Sequence, residues 1–267
     1  MNKYVIILFQ VLVFVFVLFL WETLAYYHII DEFLFSKPSK VYKLFLIYLE
    51  NNMILNHVFI TLYEMLMGLF LGSLIGFIIA SILWFYPLLS RILMPFMFVL
   101  NALPKTALAP IFIIWIGMNT KGVIFVGIFI SLVITILSLL NHFNNIDQNL
   151  VKMLKSFNAK KIHIYKYIVL PSNLLNMISI LKINVGLSFI GVIAGEFIVS
   201  REGIGYLIMY GSQIFRLDLV MLGVFLLAIV SVLVDILMNL LINLLKRKGI
   251  FKWKKLLPSY WWDLVYF

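Results

Sequence analysis

The 267-residue sequence contains no cysteine, few charged residues and no nucleotide-binding motif. The lack of cysteine excludes disulfides, thiolate metal sites and catalytic thiols. The four histidines show no metal-binding spacing, and the absence of G-x-x-x-x-G-K-[ST] excludes ATP binding through a P-loop in this chain. Only 12% of residues are charged while 64% are hydrophobic, a composition outside the range of soluble globular domains. Composition therefore predicts a polytopic membrane protein.

Six apolar runs are long enough to cross a bilayer as helices. The predicted spans are Tyr4–Tyr27, Ile54–Trp84, Leu88–Gly117, Gly122–Leu140, Leu174–Val199 and Leu219–Leu245. The first run could also be a signal peptide, but its length and the lack of a small-residue cleavage site favour an anchor. We expect one all-α transmembrane domain over residues 1–245, followed by a tail.

The distribution of basic residues predicts the orientation. With the N-terminus in the cytoplasm, inside segments hold thirteen of the 21 lysines and arginines, outside segments hold six, and Lys105 and Lys182 lie within spans. Cytoplasmic loops carry the excess of basic residues in membrane proteins. We therefore expect a multi-pass protein of the cell membrane with both termini and the loop 141–171 in the cytoplasm.

The loop 141–171 is polar and patterned as a helix. Leu150, Met153, Leu154 and Phe157 follow the spacing of one helix face. Asp147 precedes this segment as a candidate N-cap. At the other end, Asn158 is a candidate left-handed residue, and Pro171 is expected to mark the start of the next span. Such a helix could lie in the membrane interface or dock in a groove of a cytoplasmic partner.

Residues of this loop resemble the cytoplasmic coupling loop of ABC importer permeases. The matching positions are Asp147, Leu150, Ser156 to Ala159 and Val169 to Pro171. Where that family usually has Glu-Ala-Ala, this chain has Lys152, Met153 and Leu154, and Asn158 replaces the usual glycine. The resemblance implies that an ATPase-coupling surface is formed by Asp147, Leu150, Lys152, Met153, Leu154, Phe157, Asn158, Ala159 and Pro171.

Other stretches resemble the nitrate, sulfonate and taurine branch of the same family. They include Trp21-Glu22, Pro38 to Val41, Thr61 to Tyr63, Asn101 to Pro104, Gly195 to Phe197 and Gly203 to Tyr206. The resemblance implies a MetI-like permease fold with a coupling helix between spans four and five. It also implies a cytoplasmic ATP-binding subunit that holds ATP and Mg, an extracytoplasmic solute-binding protein and a second permease chain. No cofactor is expected in this chain, and no nucleic acid.

Prolines and intramembrane charges indicate candidate pathway residues. Pro95, Pro104 and Pro110 interrupt the third span, and broken helices are tolerated where they line a wet cavity or are buried in protein. A packed kink is the alternative. Charged side chains within spans usually face a partner or water, or snorkel to the interface. The candidate pathway residues are Asn101, Pro104, Lys105, Lys182 and Glu196.

Small residues recur every four positions in two spans. Gly68, Gly72 and Gly76 form one stripe, and Gly191 with Gly195 forms another. This spacing is typical of closely packed helices, within one chain or across a dimer. The tail 246–267 is basic and aromatic, which is typical of an interfacial anchor. Asp235 stands without a second acid at helical spacing, so an intramembrane aspartyl protease is disfavoured.

These observations predict the permease subunit of an ATP-driven importer rather than an enzyme. An ATPase-independent secondary transporter or channel is the alternative, and it would transport without a partner ATPase. A membrane-embedded enzyme would need converging polar groups that the sequence does not display. The resemblance implies nitrate, a sulfonate, taurine or a vitamin precursor as the solute, and Lys105 and Lys182 would suit an anion.

Overall fold

The computed structural model describes residues 3–199 and 201–247, and all regular secondary structure within them is helical. The α-helices are α1 (Lys3–Tyr26), α2 (Glu32–Phe35), α3 (Pro38–Glu50), α4 (Met53–Phe85), α5 (Pro87–Ala102), α6 (Ala109–Ile116), α7 (Thr120–Asn144), α8 (Gln148–Ser156), α9 (Lys161–Ile164), α10 (Leu170–Val199), α11 (Ile204–Gln213) and α12 (Leu217–Arg247). A 3-10 helix covers Lys105–Leu108, and a π-helix covers Tyr165–Val169.

The prediction of an all-α protein with about six apolar spans is confirmed. Five helices of the described chain are long and apolar enough to cross a membrane. A sixth candidate, Pro87–Ala102 with Lys105–Ile116, is bent by 92°. The third span is therefore broken, as its prolines predict. Leu103 is extended because the ring of Pro104 disfavours helical backbone at the residue before it.

The fifth span begins earlier than predicted. Helical backbone runs from Lys161 to Val199 and passes through the π-helix, so Pro171 lies inside the span and does not mark its start. The π-helix Tyr165–Val169 ends two residues before Pro171. Its wider turn accommodates the proline, which has no N–H and whose ring crowds the preceding turn. The coupling helix and the fifth span are therefore joined by only a few non-helical residues.

The described residues group into two compact units. Unit 1 comprises residues from 1–62 and 196–230, and unit 2 comprises residues from 63–195 and 231–267. In unit 1, Glu22 of α1 accepts hydrogen bonds from the backbone N of Ser39 (3.0 Å) and from its Oγ (2.8 Å). A carboxylate thus satisfies the N-terminus of α3, where unpaired N–H groups and the helix dipole favour an anion.

Unit 2 is organised around α7, whose buried residues recur along its whole length. A Cβ on Gly72 would overlap Ser131 Oγ of α7, and one on Gly195 would lie 3.0 Å from Val123 Cα. Ser188 Oγ of α10 donates a hydrogen bond to Met65 O of α4 at 2.9 Å. Both glycine stripes therefore pack within the chain, where the missing side chains let α4, α7 and α10 approach closely.

The tail predicted for residues 246–267 lies almost entirely outside the described residues, which end at 247. Its interfacial role stays a prediction.

Candidate functional site

The segment 147–159, which contains α8, is held at both ends by local hydrogen bonds. The Asp147 side chain accepts a bond from Asn149 N at 2.8 Å, so it is the N-cap of α8, as predicted. At the other end Asn158 has φ 56°, in the left-handed region. The N–H of Ala159 donates to Leu154 O at 3.1 Å and that of Asn158 to Lys155 O at 2.9 Å. This is a Schellman arrangement, and it confirms the predicted left-handed conformation of Asn158.

The apolar face of α8 is divided between the chain's own core and the surface. Leu154 is buried among Phe143, Tyr165 and other core residues, and Leu150 packs against the same cluster. The prediction that all four apolar residues are presented to a partner is therefore wrong for Leu154, because it anchors α8 to its own unit. Phe157 is 57% exposed. Met153 is half-buried, and Lys152 and Lys155 are exposed.

Lys161 ties the segment to the end of α4. Its Nζ donates to Phe85 O at 2.6 Å and lies 5.1 Å from the centre of the Trp84 ring. A cation is favourable at a helix C-terminus, where the last carbonyls lack partners. Tyr165 makes a 2.5 Å hydrogen bond with Ser81 Oγ of the same helix. The segment that follows α8 is thus joined to α4 by direct contacts.

The left-handed turn at Asn158 gives a testable prediction. Asn158→Gly should keep or slightly raise the melting temperature, since glycine adopts this conformation without a Cβ penalty. Asn158→Val should lower the free energy of unfolding by about 1–2 kcal/mol, since a β-branched residue is strained there. Thermal unfolding of both variants in detergent checks the order. Equal melting temperatures would contradict the left-handed turn.

The broken third span uses Lys105 to close its first half. Lys105 Nζ donates to the backbone O of Asn101 at 3.0 Å and to its Oδ1 at 3.1 Å. Pro104 is exposed, and Asn101 and Lys105 are half-buried. The lysine thus donates to the Asn101 carbonyl at the end of α5, where the break at Pro104 ends the helix. A role in the pathway stays a prediction for these three residues.

In unit 1, the side chains of His57, Thr61 and Glu196 bind the N-terminus of α11, and we call these three residues the clamp. His57 Nδ1 accepts from Gly203 N at 2.9 Å, and Thr61 Oγ1 accepts from Ile204 N at 2.8 Å. Glu196 accepts from Gly205 N at 2.5 Å and from Thr61 Oγ1 at 2.6 Å. Three successive N–H groups that a helix start leaves unpaired are thereby satisfied by side chains.

The clamp corrects the expectation for Glu196. Its side chain is only 1% exposed, so in this structure it does not line an open pathway. Gly203 has φ 109°, and a Cβ there would overlap the Glu196 carboxylate. The two sequence stretches that contain Glu196 and Gly203 are therefore parts of one structural element. The carboxylate lies in the interior because it accepts hydrogen bonds from the Gly205 N–H and the Thr61 hydroxyl.

Lys182 is paired within unit 2. Its Nζ lies 3.2 Å from Asp235 Oδ1 and donates to Asn239 Oδ1 at 2.9 Å. Asn239 Nδ2 in turn donates to Asp235 Oδ2 at 2.8 Å. Of the alternatives for a charge within a span, Lys182 has a partner, because α12 brings it the counter-ion Asp235. Its role in the pathway stays a prediction. Asp235 does not stand alone, although its partner is a base and not a second acid.

A buried polar cluster was not predicted. Asn184 Nδ2 donates to Ser73 Oγ at 2.9 Å and to Thr135 Oγ1 at 2.6 Å, which links α10, α4 and α7. The three residues lie at the wall of a cavity of about 230 Å³ that is otherwise mostly apolar. Asn184 Oδ1 has no hydrogen-bond partner among the described residues. The spacing of Asn184 and Ser188, one turn apart on the glycine-bearing face of α10, is the sequence signal for this cluster.

Comparisons with known proteins agree with this architecture. Residues 72–249 match the family described as "Binding-protein-dependent transport system inner membrane component". A probable ABC transporter permease protein of Haemophilus influenzae is 27% identical over 80% of this chain and 87% of its own length. The aliphatic sulfonates transport permease SsuC of Bacillus subtilis, itself a tentative assignment, is 23% identical over 80% of this chain and 78% of its own length.

Two further proteins extend the comparison. The taurine transport system permease protein TauC of Escherichia coli is 23% identical over 66% of this chain and 64% of its own length. A solved structure of the MetNI methionine ABC transporter in an inward-facing conformation has a TM-score of 0.53 at 16% identity. The match covers 70% of this chain and 95% of that chain, and it shows the MetI-like fold.

The all-helical fold with its apolar spans and the family match over residues 72–249 together identify a membrane permease. The chain belongs to the family of binding-protein-dependent transport system inner membrane components. It is the transmembrane permease subunit of an ABC importer, a transport component.

Proposed function

We propose that two copies of this permease assemble with cytoplasmic ATP-binding subunits and receive a small solute from an extracytoplasmic binding protein. ATP and Mg are held and used by the ATP-binding subunits. Both termini lie in the cytoplasm, and the protein resides in the cell membrane. The excess of lysine and arginine in the segments that this orientation places inside supports it.

Exposed Phe157 is the observation that carries the proposed ATPase contact. It is 57% exposed at the end of α8, while Leu154, one turn earlier, is buried in the chain's own core. A helix that is anchored on one side and presents an aromatic residue on the other is suited to docking in a groove. Aromatic side chains at the centre of such contacts commonly contribute most of the binding free energy.

The solute is proposed to be a small organic molecule of the kind named for the relatives. Those names include aliphatic sulfonates, taurine and formylaminopyrimidine. Nitrate is a further candidate. All are small enough to pass through a pathway formed by a few helices.

The docking surface is tested by one substitution with a matched control. Phe157→Asp places a charge in the proposed groove and should weaken ATPase binding by about 2 kcal/mol or more, which is about thirtyfold. Phe215→Asp makes the same exchange at a residue that is 72% exposed in the turn before α12. Phe215 has φ 56°, a conformation that aspartate tolerates better, so the control should fold normally.

The measurement is co-purification of the tagged permease from its native membrane, followed by an ATPase assay of the complex. We expect the wild type and Phe215→Asp to retain an ATPase subunit, and Phe157→Asp to lose it or to lose the response of its ATPase. A well-folded wild-type chain that brings down no ATPase would instead favour an interfacial helix and an ATPase-independent transporter.

A further inference from the structure

A polar stripe runs along one side of α12 and meets Lys182 of α10. Ser231, Asp235 and Asn239 recur every four residues, the spacing of neighbours on a helix surface. Lys182 pairs with Asp235 and Asn239 at 3.2 and 2.9 Å. We call Ser231, Asp235, Asn239 and Lys182 the charged cleft. All four belong to unit 2.

The ion pair of the charged cleft lies deep within its helices. Asp235 is nine residues from the nearer end of the span Leu217–Leu244, and Lys182 is seventeen from the nearer end of Lys161–Val199. At 1.5 Å per residue, both are more than about 13 Å from a helix end. Yet 41% of the Lys182 side chain and 56% of the Asp235 side chain are exposed. Charged side chains within apolar spans usually face a partner, water or a polar ligand, since hydrocarbon would not solvate them.

Gly186, one turn after Lys182, keeps space open beside the ion pair. The cavity here is about 180 Å³ and is lined by Lys182, Gly186, Phe189, Ser231 and Asp235, among others. A Cβ on Gly186 would meet no atom within 4 Å, whereas one on Gly191 of the same helix would lie 2.9 Å from Gly127 Cα. Gly186 therefore does not pack against another helix among the described residues of this chain. Glycine lowers helix propensity, so a non-packing glycine indicates that something approaches the backbone closely.

We propose that the charged cleft is the solute contact of the translocation pathway and that it takes a small zwitterion. The anionic group of the solute would accept from Lys182 Nζ, its ammonium group would donate to Asp235, and its short carbon chain would lie over Gly186 against Phe189. This proposal rests on the proposed function, because it names the class of solute that the permease passes.

Charge balance selects a zwitterion over an ion. Lys182 and Asp235 together are neutral, so a solute that carries both charges replaces each interaction and leaves neither side chain without a counter-charge. A simple anion would take Lys182 and leave Asp235 uncompensated. A neutral molecule would leave the ion pair closed and would gain little. The cleft thus favours a solute that carries one positive and one negative charge, and it also selects by size.

The absence of cysteine from the sequence allows a direct test. In Ser231→Cys, both charges of the cleft remain and the new thiol is the only one in the chain. The probe is a charged, membrane-impermeant methanethiosulfonate reagent applied to the permease in native membranes. Labelling should be at least about tenfold faster than in Leu233→Cys, since thiols react as solvated thiolates. Leu233 is 54% exposed, but on the opposite side of α12, where lipid is expected.

Protection from labelling tests the solute class. Glycine, β-alanine and taurine are the zwitterionic probes, and ethanesulfonate and ethylamine carry the single charges of taurine. We expect at least one zwitterion to slow labelling of Ser231→Cys severalfold and neither single ion to do so. Gly186→Met in the same background should abolish the protection, while the melting temperature stays that of the parent.

Several results would overturn the inference. Two concern the surface: Ser231→Cys could be labelled as slowly as Leu233→Cys, or it could form a disulfide between two copies. Two concern the solute: ethanesulfonate could protect Ser231→Cys as well as taurine does, or no zwitterion could protect it. Each can occur while the ATPase still co-purifies, so failure of this inference is distinguishable from failure of the proposed function.

Discussion

Replacing Gly191 with methionine is expected to destabilise the permease strongly. A Cβ at Gly191 would lie 2.9 Å from Gly127 Cα and 3.1 Å from Gly127 N, so the new side chain meets backbone that cannot rotate away. Overpacking of this kind costs about 3 kcal/mol. For a chain of this size, that loss corresponds to a fall of about 6–12 °C in melting temperature. Thermal unfolding of the purified variant measures it.

Gly186→Met is the matched control on the same helix. The exchange is identical and the position is five residues earlier, but no atom lies within 4 Å of the added Cβ. Its melting temperature should therefore stay within about 1–2 °C of the wild type, and the better helix propensity of methionine could raise it. Equal losses in Gly186→Met and Gly191→Met would mean that α10 does not pack against α7 through Gly191.

Replacing Glu196 with alanine is expected to release the N-terminus of α11. The carboxylate accepts from Gly205 N at 2.5 Å and from Thr61 Oγ1 at 2.6 Å, and it is 1% exposed. Hydrogen bonds to a charged group contribute about 1.5–3 kcal/mol each, so the variant should lose about 3 kcal/mol or more. Hydrogen exchange should also show faster exchange at Gly205 and in the first turn of α11.

Glu202→Ala is the control for this experiment. Glu202 is exposed and lies in the connection between α10 and α11, so its removal should change stability by less than about 0.5 kcal/mol. Glu196→Gln should fall between the two, because its amide oxygen can accept one of the bonds while its NH₂ meets a donor. A Glu196→Ala variant as stable as Glu202→Ala would contradict the clamp.

The sequence predicts the parts of this fold that depend on local periodicity. The long apolar runs become helices, Asp147 caps α8, and Asn158 takes the left-handed turn. Each outcome follows from residues within one or two turns of the position. Pro104 breaks its span for the same local reason.

Predictions fail where the outcome depends on a second helix. Leu154 shares a face with Phe157 in the sequence, but only tertiary packing determines that one is buried and the other exposed. Lys182 and Asp235 are 53 positions apart, and no local pattern indicates that they pair. Pro171 is tolerated inside a span because a π-turn forms directly before it.

Some of the missed features did leave a signal. Ser231, Asp235 and Asn239 at four-residue spacing form a polar stripe in an otherwise apolar span. A search for a second acidic residue near Asp235 misses this stripe, because its other two members are the hydroxyl of Ser231 and the amide of Asn239. Polar residues at helical spacing within a span are thus informative even when they are uncharged.

The importer account makes α8 the contact between the permease and a cytoplasmic ATPase, and photo-cross-linking at Phe157 tests this most directly. A benzophenone-bearing amino acid at position 157 is activated in native membranes, and its adducts are identified by mass spectrometry. The account predicts a cross-link to an ATP-binding-cassette subunit, with none from the same amino acid at Phe215. Adducts to lipid alone at position 157 would contradict it, since α8 would then lie in the membrane interface.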